Sequence, residues 1–237
     1  MLIKGLQKLT LLDYPGRIAC TVFLGGCNFR CPFCHNGSLV VSDGSGEIMS
    51  GEEFFAFLDS RRGRLTGVCV SGGEPTLHPS LPEFLSEIKS RGYAVKLDTN
   101  GTNPEMLSAL IADGLVDYVA MDIKNSPEKY ALTAGVSAEC GAQRAELLLD
   151  GVKESAAILM QGRVDFEFRT TLMRELHSAE DMEAIGVWLA GGESYFLQTY
   201  RDEGDLLVGG FTPLTREETE ALLAGLRKYI PKAEIRG

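Results

Sequence analysis

Three cysteines stand close together in the run Cys27-Asn28-Phe29-Arg30-Cys31-Pro32-Phe33-Cys34. Their spacing is C-x3-C-x2-C, and no fourth cysteine lies nearby to close a four-thiolate cage. Three thiolates can hold three irons of a [4Fe–4S] cluster and leave coordination positions free on the fourth. An open position separates a reactive metal site from a closed structural one. The run therefore points to a cluster that binds a small molecule directly and passes an electron to it. The competing reading is a structural zinc held by Cys27, Cys31, Cys34 and His35. Adjacent ligands at 34 and 35 are sterically awkward, and zinc sites usually pair two knuckles across a longer gap. No second C-x2-C pair marks an additional cluster. Cys20, Cys69 and Cys140 read as buried small residues or surface thiols, not ligands.

Other segments carry polar residues suited to holding a ligand. They are Gly72-Gly73-Glu74-Pro75, Asp98-Thr99-Asn100-Gly101, Asp122-Ile123-Lys124 and Arg169-Thr170. Paired glycines let a backbone approach a neighbour closely, and Glu74 would orient the surroundings. The alternatives are plain: a strand-to-helix turn at Gly72-Gly73, helix N-capping by Asp98 and Asp122, and a structural ion pair of Arg169 with Glu167 or Asp165. His78 and His177 read as surface or loop histidines.

These segments need a scaffold that brings them together. Apolar, β-rich runs over 18–24, 67–71, 93–97, 116–123, 165–172 and 195–199 alternate with helical patterns. Capping boxes at Ser50-Gly51-Glu52-Glu53 and Thr215-Arg216-Glu217-Glu218 open two of the helices. Ser80-Leu81-Pro82-Glu83 and Asn103-Pro104 open two more, and Gly92 stops the helix begun at Ser80. Six strands alternating with helices predict α/β architecture with a parallel sheet, a partial (β/α)6 barrel. The strands read as continuous apolar runs, as expected when both faces are covered. All the polar segments then fall at the C-terminal strand ends, where barrel sites are built.

Composition narrows the partners. The chain has 237 residues, is 44% hydrophobic, and carries a formal net charge of −10. That charge argues against nucleic acid, whose phosphates want a basic stripe; Arg61-Arg62-Gly63-Arg64 reads as a solvated helix end. No run approaches the roughly eighteen apolar residues of a membrane span. The start, Met1-Leu2-Ile3-Lys4-Gly5-Leu6-Gln7, lacks the features of a signal peptide, so a cytoplasmic location is expected. One domain over residues 1–237 is expected, with the cluster loop at 25–36, the core barrel at about 18–200 and a C-terminal helix at about 215–230. Residues 42–46 read as a Gly/Ser turn.

The run CNFRCPFCHN, with Phe33 before the last cysteine, resembles the cluster loop of radical S-adenosylmethionine (SAM) enzymes. The longer stretch GLQKLTLLDYPGRIACTVFLGGCNFRCPFCHN resembles their glycyl-radical activase branch. It is most similar to activating proteins of anaerobic ribonucleoside-triphosphate reductase, with pyruvate formate-lyase activating enzyme as a relative. The likeness runs from about residue 6 to 124 and thins beyond. It implies a [4Fe–4S] cluster on Cys27, Cys31 and Cys34, reductive cleavage of SAM, and hydrogen abstraction from a glycine of a partner enzyme. It implies SAM contacts from Phe33, Gly72, Gly73, Glu74, Asp98, Lys124 and Arg169. It also implies a monovalent cation at Asp98, Thr99, the carbonyl of Ala120, and Asp122. No residue acts as general acid or base. A flavodoxin or ferredoxin is the implied electron donor. The last strand departs from the pattern: where a relative carries a SAM-contacting histidine, this chain has Gln198-Thr199-Tyr200-Arg201. The rival functions are a small-molecule radical SAM enzyme of the 7-carboxy-7-deazaguanine synthase kind, and a non-enzymatic zinc module.

Overall fold

The computed structural model describes residues 3–40, 49–136, 141–201 and 206–236. The turn expected at 42–46 and Cys140 lie outside the described residues. The strands are β1 (Ile3–Thr10), β2 (Ala19–Leu24), β3 (Gly67–Gly72), β4 (Ala94–Thr99), β5 (Tyr118–Asp122), β6 (Asp165–Leu172), β7 (Tyr195–Thr199) and β8 (Glu234–Arg236). The helices are α1 (Gly37–Val40), α2 (Gly51–Ser60), α3 (Leu81–Ser90), α4 (Pro104–Ala112), α5 (Tyr130–Thr133), α6 (Ala142–Leu159), α7 (Ala179–Trp188) and α8 (Arg216–Leu226). A 3₁₀ turn covers Pro75–Leu77.

All eight strands join one sheet in chain order. β2 to β8 run parallel, and β1 lies antiparallel on β2. The six expected strands are β2 to β7, and the α/β barrel architecture holds. The edge strands β1 and β8 were not expected. β1 is broken by register shifts and exposed over Gln7, Lys8 and Leu9, so it carries little apolar alternation. β8 has three residues, too few for any period to show.

The expectation of two apolar faces fails in a useful way. Val68, Val70, Val95, Leu97, Val119 and Met121 join the core with Leu85 and Ile88 of α3 and Leu107 and Leu110 of α4. Successive side chains alternate faces, so Cys69, Ser71, Lys96, Asp98 and Asp122 share the opposite, inner face. Arg169 of β6 reaches past β5 to within 3.6 Å of Asp98 on β4. Such a contact two strands away requires the sheet to curve around that face. Small residues and the long stem of Lys96 disguise the alternation as a continuous run.

Helix entries fix the strand spacing. Ser50 with Glu53 and Thr215 with Glu218 form reciprocal capping boxes, and Asn103 accepts from the Met106 N–H at 3.2 Å. Ser178 with Asp181 forms a third box. Ser80 departs from expectation and makes no side-chain cap. Its backbone sits at φ −87°, ψ 10°, not in the extended conformation that aims an N-cap hydroxyl at the first turn.

Candidate active site

The cysteine run follows β2 as an irregular loop pinned on several sides. Gly26 N–H donates to Leu39 O at 2.7 Å, closing the loop onto α1. Arg30 N–H donates to Ala134 O at 2.9 Å, and Val208 N–H donates to Pro32 O at 2.9 Å. A side chain at Gly135 would strike Arg30 O, so the approach of α5 to the loop needs glycine there. Phe33 meets Phe211 edge-on at 6.3 Å, and Phe29 meets Tyr130 likewise at 6.3 Å. The Arg30 guanidinium donates to Cys27 O at 2.6 Å and Phe29 O at 2.8 Å, curling the run on itself. Protein contacts therefore hold the loop from several directions.

Gly72-Gly73-Glu74 performs a different task from the one its composition suggested. Gly73 N–H donates to Leu24 O at 2.8 Å and Glu74 N–H to Gly26 O at 2.8 Å. Gly72 has φ +116°, and a Cβ there would sit 2.3 Å from Leu24 O; a Cβ at Gly73 would sit 2.0 Å from Gly26 O. The double glycine thus lets two backbones touch, seating the cysteine loop on β3. Both glycines also line the cavity. Glu74 is fully buried and does not line it. Its carboxylate accepts from Thr76 N–H at 3.0 Å, Thr76 O–H at 2.5 Å, Thr99 O–H at 2.7 Å and Asn100 N–H at 2.6 Å. Burial pushes its pKa up, against those four donors. Glu74 clamps the ends of β3 and β4 together, where a ligand contact was expected of it.

A chain of alternating charges lines the inner face. Lys96 pairs with Asp98 Oδ1. Asp98 Oδ2 accepts from Ser71 O–H at 3.0 Å and faces Arg169 at 3.6 Å. Arg169 Nε and Nη2 each reach Asp122 Oδ1 at 2.9 Å, and Lys124 donates to Asp122 Oδ2 at 3.0 Å. Burial opposes every one of these charges, and their pairing outweighs it. Arg169 and Lys124 together hold Asp122 down to about 2, and Arg169 and Lys96 hold Asp98 below the usual carboxylate range. Asp122 in turn pushes Lys124 and Arg169 upward. Arg169 does not pair with Asp165 or Glu167. Glu167 belongs to the opposite end of the barrel, held bidentately by Arg236 at 2.8 and 2.9 Å.

One cavity of about 230 Å³ brings these segments together. Its lining includes Cys27, Cys31, Cys34, Phe33, Asp98, Asp122, Lys124 and Arg169. Among the described residues, no three or more His, Cys, Asp or Glu side chains are placed to hold a single metal ion. The three thiols border this cavity together. His35, the fourth ligand of the zinc reading, bonds Arg201 O through Nε2 at 2.7 Å and stacks on Tyr200 at 5.6 Å. Cys27 Sγ accepts from Phe29 N–H at 3.4 Å and from Asn100 Nδ2 at 3.9 Å, contacts that tune a sulfur ligand. Burial pushes the Cys27 thiol up to about 11 and the Cys31 thiol up to about 12. Binding iron there must release protons. Lys124 and Arg169 suit the carboxylate of an amino-acid ligand. The residues present therefore fit an iron–sulfur cluster beside a zwitterionic ligand.

Several further residues surround the site. Asn36 lines the cavity and donates to Gly72 O at 3.3 Å. Asn28, Asn100 and Thr102 form a polar knot under the loop. Gln198 and Thr171 complete the lining, Gln198 standing on the strand that lacks the relative's histidine. Both remaining histidines correct their surface assignment. His78 bonds Gly25 O at 2.9 Å and is half-buried. His177 is 5% exposed; Nδ1 accepts from Met173 N–H at 3.1 Å, leaving Nε2 to donate to Lys124 O at 3.0 Å. Only their fixed distance from the motifs could have hinted at this, and that distance is readable only after folding.

Known proteins share these features. The radical SAM superfamily profile matches residues 21–158. A Methanocaldococcus jannaschii protein named "Putative glycyl-radical enzyme activating enzyme" is 32% identical over 99% of this chain and 95% of its own length. The pyruvate formate-lyase-activating enzyme of Listeria monocytogenes is 34% identical over 54% of this chain and 55% of its own. Streptococcus suis SuiB bound to S-adenosylmethionine superposes with a TM-score of 0.68 at 11% identity, covering 92% of this chain and 52% of SuiB. No described helix is long and apolar enough to cross a membrane.

Proposed function

We propose a function from one premise: the chain belongs to the radical SAM superfamily. It is an enzyme of that type, using a [4Fe–4S] cluster and S-adenosylmethionine. We infer further that it activates a glycyl-radical enzyme, the anaerobic ribonucleoside-triphosphate reductase, in the cytoplasm, with a flavodoxin or ferredoxin as electron donor. Likeness to a named activating enzyme along 99% of the chain supports this reading.

In this reading Cys27, Cys31 and Cys34 hold the cluster. Lys124 and Arg169 bind and orient the ligand's carboxylate, Asp122 fixing both cations in place. Asp98 stands beside them, and the Gly72-Gly73 backbone and Phe33 wall the cavity. When bound, the cluster supplies the electron that splits the sulfonium and leaves a 5′-deoxyadenosyl radical able to take a hydrogen atom. The protein contributes orientation and a shielded cavity. The whole chain acts as a single domain around the loop at 25–36.

The test is anaerobic reconstitution with iron and sulfide, followed by SAM, a reductant and purified reductase. A glycyl-radical resonance on the reductase, and its loss in Cys31→Ala, is the expected result. Cleavage of SAM with no resonance on the reductase, together with turnover of a deazapurine precursor, would sink the activase reading. Zinc near one per chain in anaerobically purified protein would sink the premise about the loop.

A further inference from the structure

The residues expected to hold a monovalent cation do not leave room for one. Asp98 Oδ1 is taken by the Lys96 ammonium, and Oδ2 by Ser71 and Arg169. Asp122 is taken by Arg169 and Lys124. The Thr99 hydroxyl donates to Glu74 and accepts from Gly101 N–H at 3.1 Å. Every side-chain oxygen of the expected set already has a protein partner. A dissolved cation would have to displace an ammonium or a guanidinium.

Lys96 is the unusual member. It sits in the middle of β4 and is 1% exposed. An ammonium removed from water is costly unless paired. Its neighbours are Asp98 on its own strand and the Cys69 sulfur on β3, at 3.7 Å. Being two residues before Asp98, it shares the inner face and approaches the carboxylate from beneath. The network then holds three cations (Lys96, Arg169, Lys124) against two anions (Asp98, Asp122). With Asp98 neutralised from below, the surplus positive charge falls to Arg169 and Lys124, which line the cavity.

We infer that Lys96 is a built-in replacement for a monovalent cation, a positioning residue whose ammonium lets the SAM site work without dissolved sodium or potassium. This rests on the cavity being a SAM site, as proposed above.

Two measurements test it, and only the second needs SAM. First, thermal melting of the cluster-free protein is compared in sodium, potassium and tetramethylammonium salts at equal ionic strength. The wild type should melt at one temperature in all three. Lys96→Met, which keeps the stem and removes the charge, should melt lower in tetramethylammonium and recover in sodium or potassium. The double variant Lys96→Met/Asp98→Asn, lacking both charges, should show no ion response. Second, SAM binding to cluster-loaded protein is measured by calorimetry under nitrogen in the same salts. Wild-type affinity should not vary. Lys96→Met should weaken by about tenfold in tetramethylammonium, or about 1.4 kcal/mol, and regain affinity with sodium or potassium. A wild type that needs sodium or potassium in either assay, or a Lys96→Met indifferent to the salt, overturns the inference. Absence of SAM binding in every salt, with the melting pattern as expected, would instead count against the proposed function and leave the ion replacement standing.

Discussion

Asn100 Nδ2 donates to Asn28 Oδ1 at 2.8 Å, joining the end of β4 to the start of the cysteine run. Asn28 answers by donating to Thr102 Oγ1 at 2.8 Å, and Thr102 returns to Asn100 Oδ1 at 2.7 Å. The triangle fixes Asn28, the residue directly after Cys27, from the strand side.

Removing one corner should loosen the loop. Asn28→Ala deletes two hydrogen bonds and leaves Asn100 with an unmet donor, a cost of about 1–3 kcal/mol. Iron bound per chain after reconstitution should fall, while far-ultraviolet circular dichroism stays unchanged. Full iron loading at wild-type stability would show that the triangle does not shape the loop.

Glu74 offers a test of clamp against ligand contact. Glu74→Gln keeps the volume but places an amide N–H₂ among four donors, leaving at least one buried donor facing another. The expected loss is about 2 kcal/mol of stability, read by urea unfolding of cluster-free protein. A direct ligand contact would instead lower SAM affinity and leave cluster-free stability untouched.

The thiols set a pH dependence. Burial raises Cys27 to about 11 and Cys31 to about 12, so both are protonated at neutral pH in the cluster-free protein. Only the thiolate reacts, so iodoacetamide labelling of both should rise about tenfold per pH unit from 7 towards 10, without levelling near the ordinary cysteine value of about 8.5. Peptide mass spectrometry reads each site. A plateau near pH 8 would contradict the burial.

The ion network sets another, with the opposite sense. Asp122 titrates at about 2 when folded and at about 3.9 when unfolded. A depressed folded value contributes stability that is complete above the unfolded value and is lost as pH falls through the folded one. Urea midpoints should therefore drop between pH 4 and pH 2. Asp122→Asn should be weaker at neutral pH and fall less steeply across that window. Parallel curves for the two proteins would remove Asp122 from the network.

Much of this was readable in the sequence for physical reasons. C-x3-C-x2-C is a local pattern, and it needed no fold to be seen. The six strands β2 to β7 carry enough apolar residues, and Ser50, Asn103 and Thr215 enough capping chemistry, to declare themselves. What was hidden depends on contacts far apart in the chain. Glu74 looks like a ligand contact in Gly-Gly-Glu-Pro until Thr99 and Asn100 fold over it. Lys96 reads as one charge in an apolar run until β3 and β6 close around it. His177 is buried, bonded to Lys124 O from fifty-three residues away.

The cysteine loop borrows two of its walls from distant stretches, Ala134 on one flank and Val208 on the other. During synthesis, the thiols at 27, 31 and 34 leave the ribosome long before residue 208 exists. Until then the loop has only its near partners, Leu39 and the ends of β2 and β3. The loop's full set of backbone partners is thereby complete only once the chain has been made through residue 208.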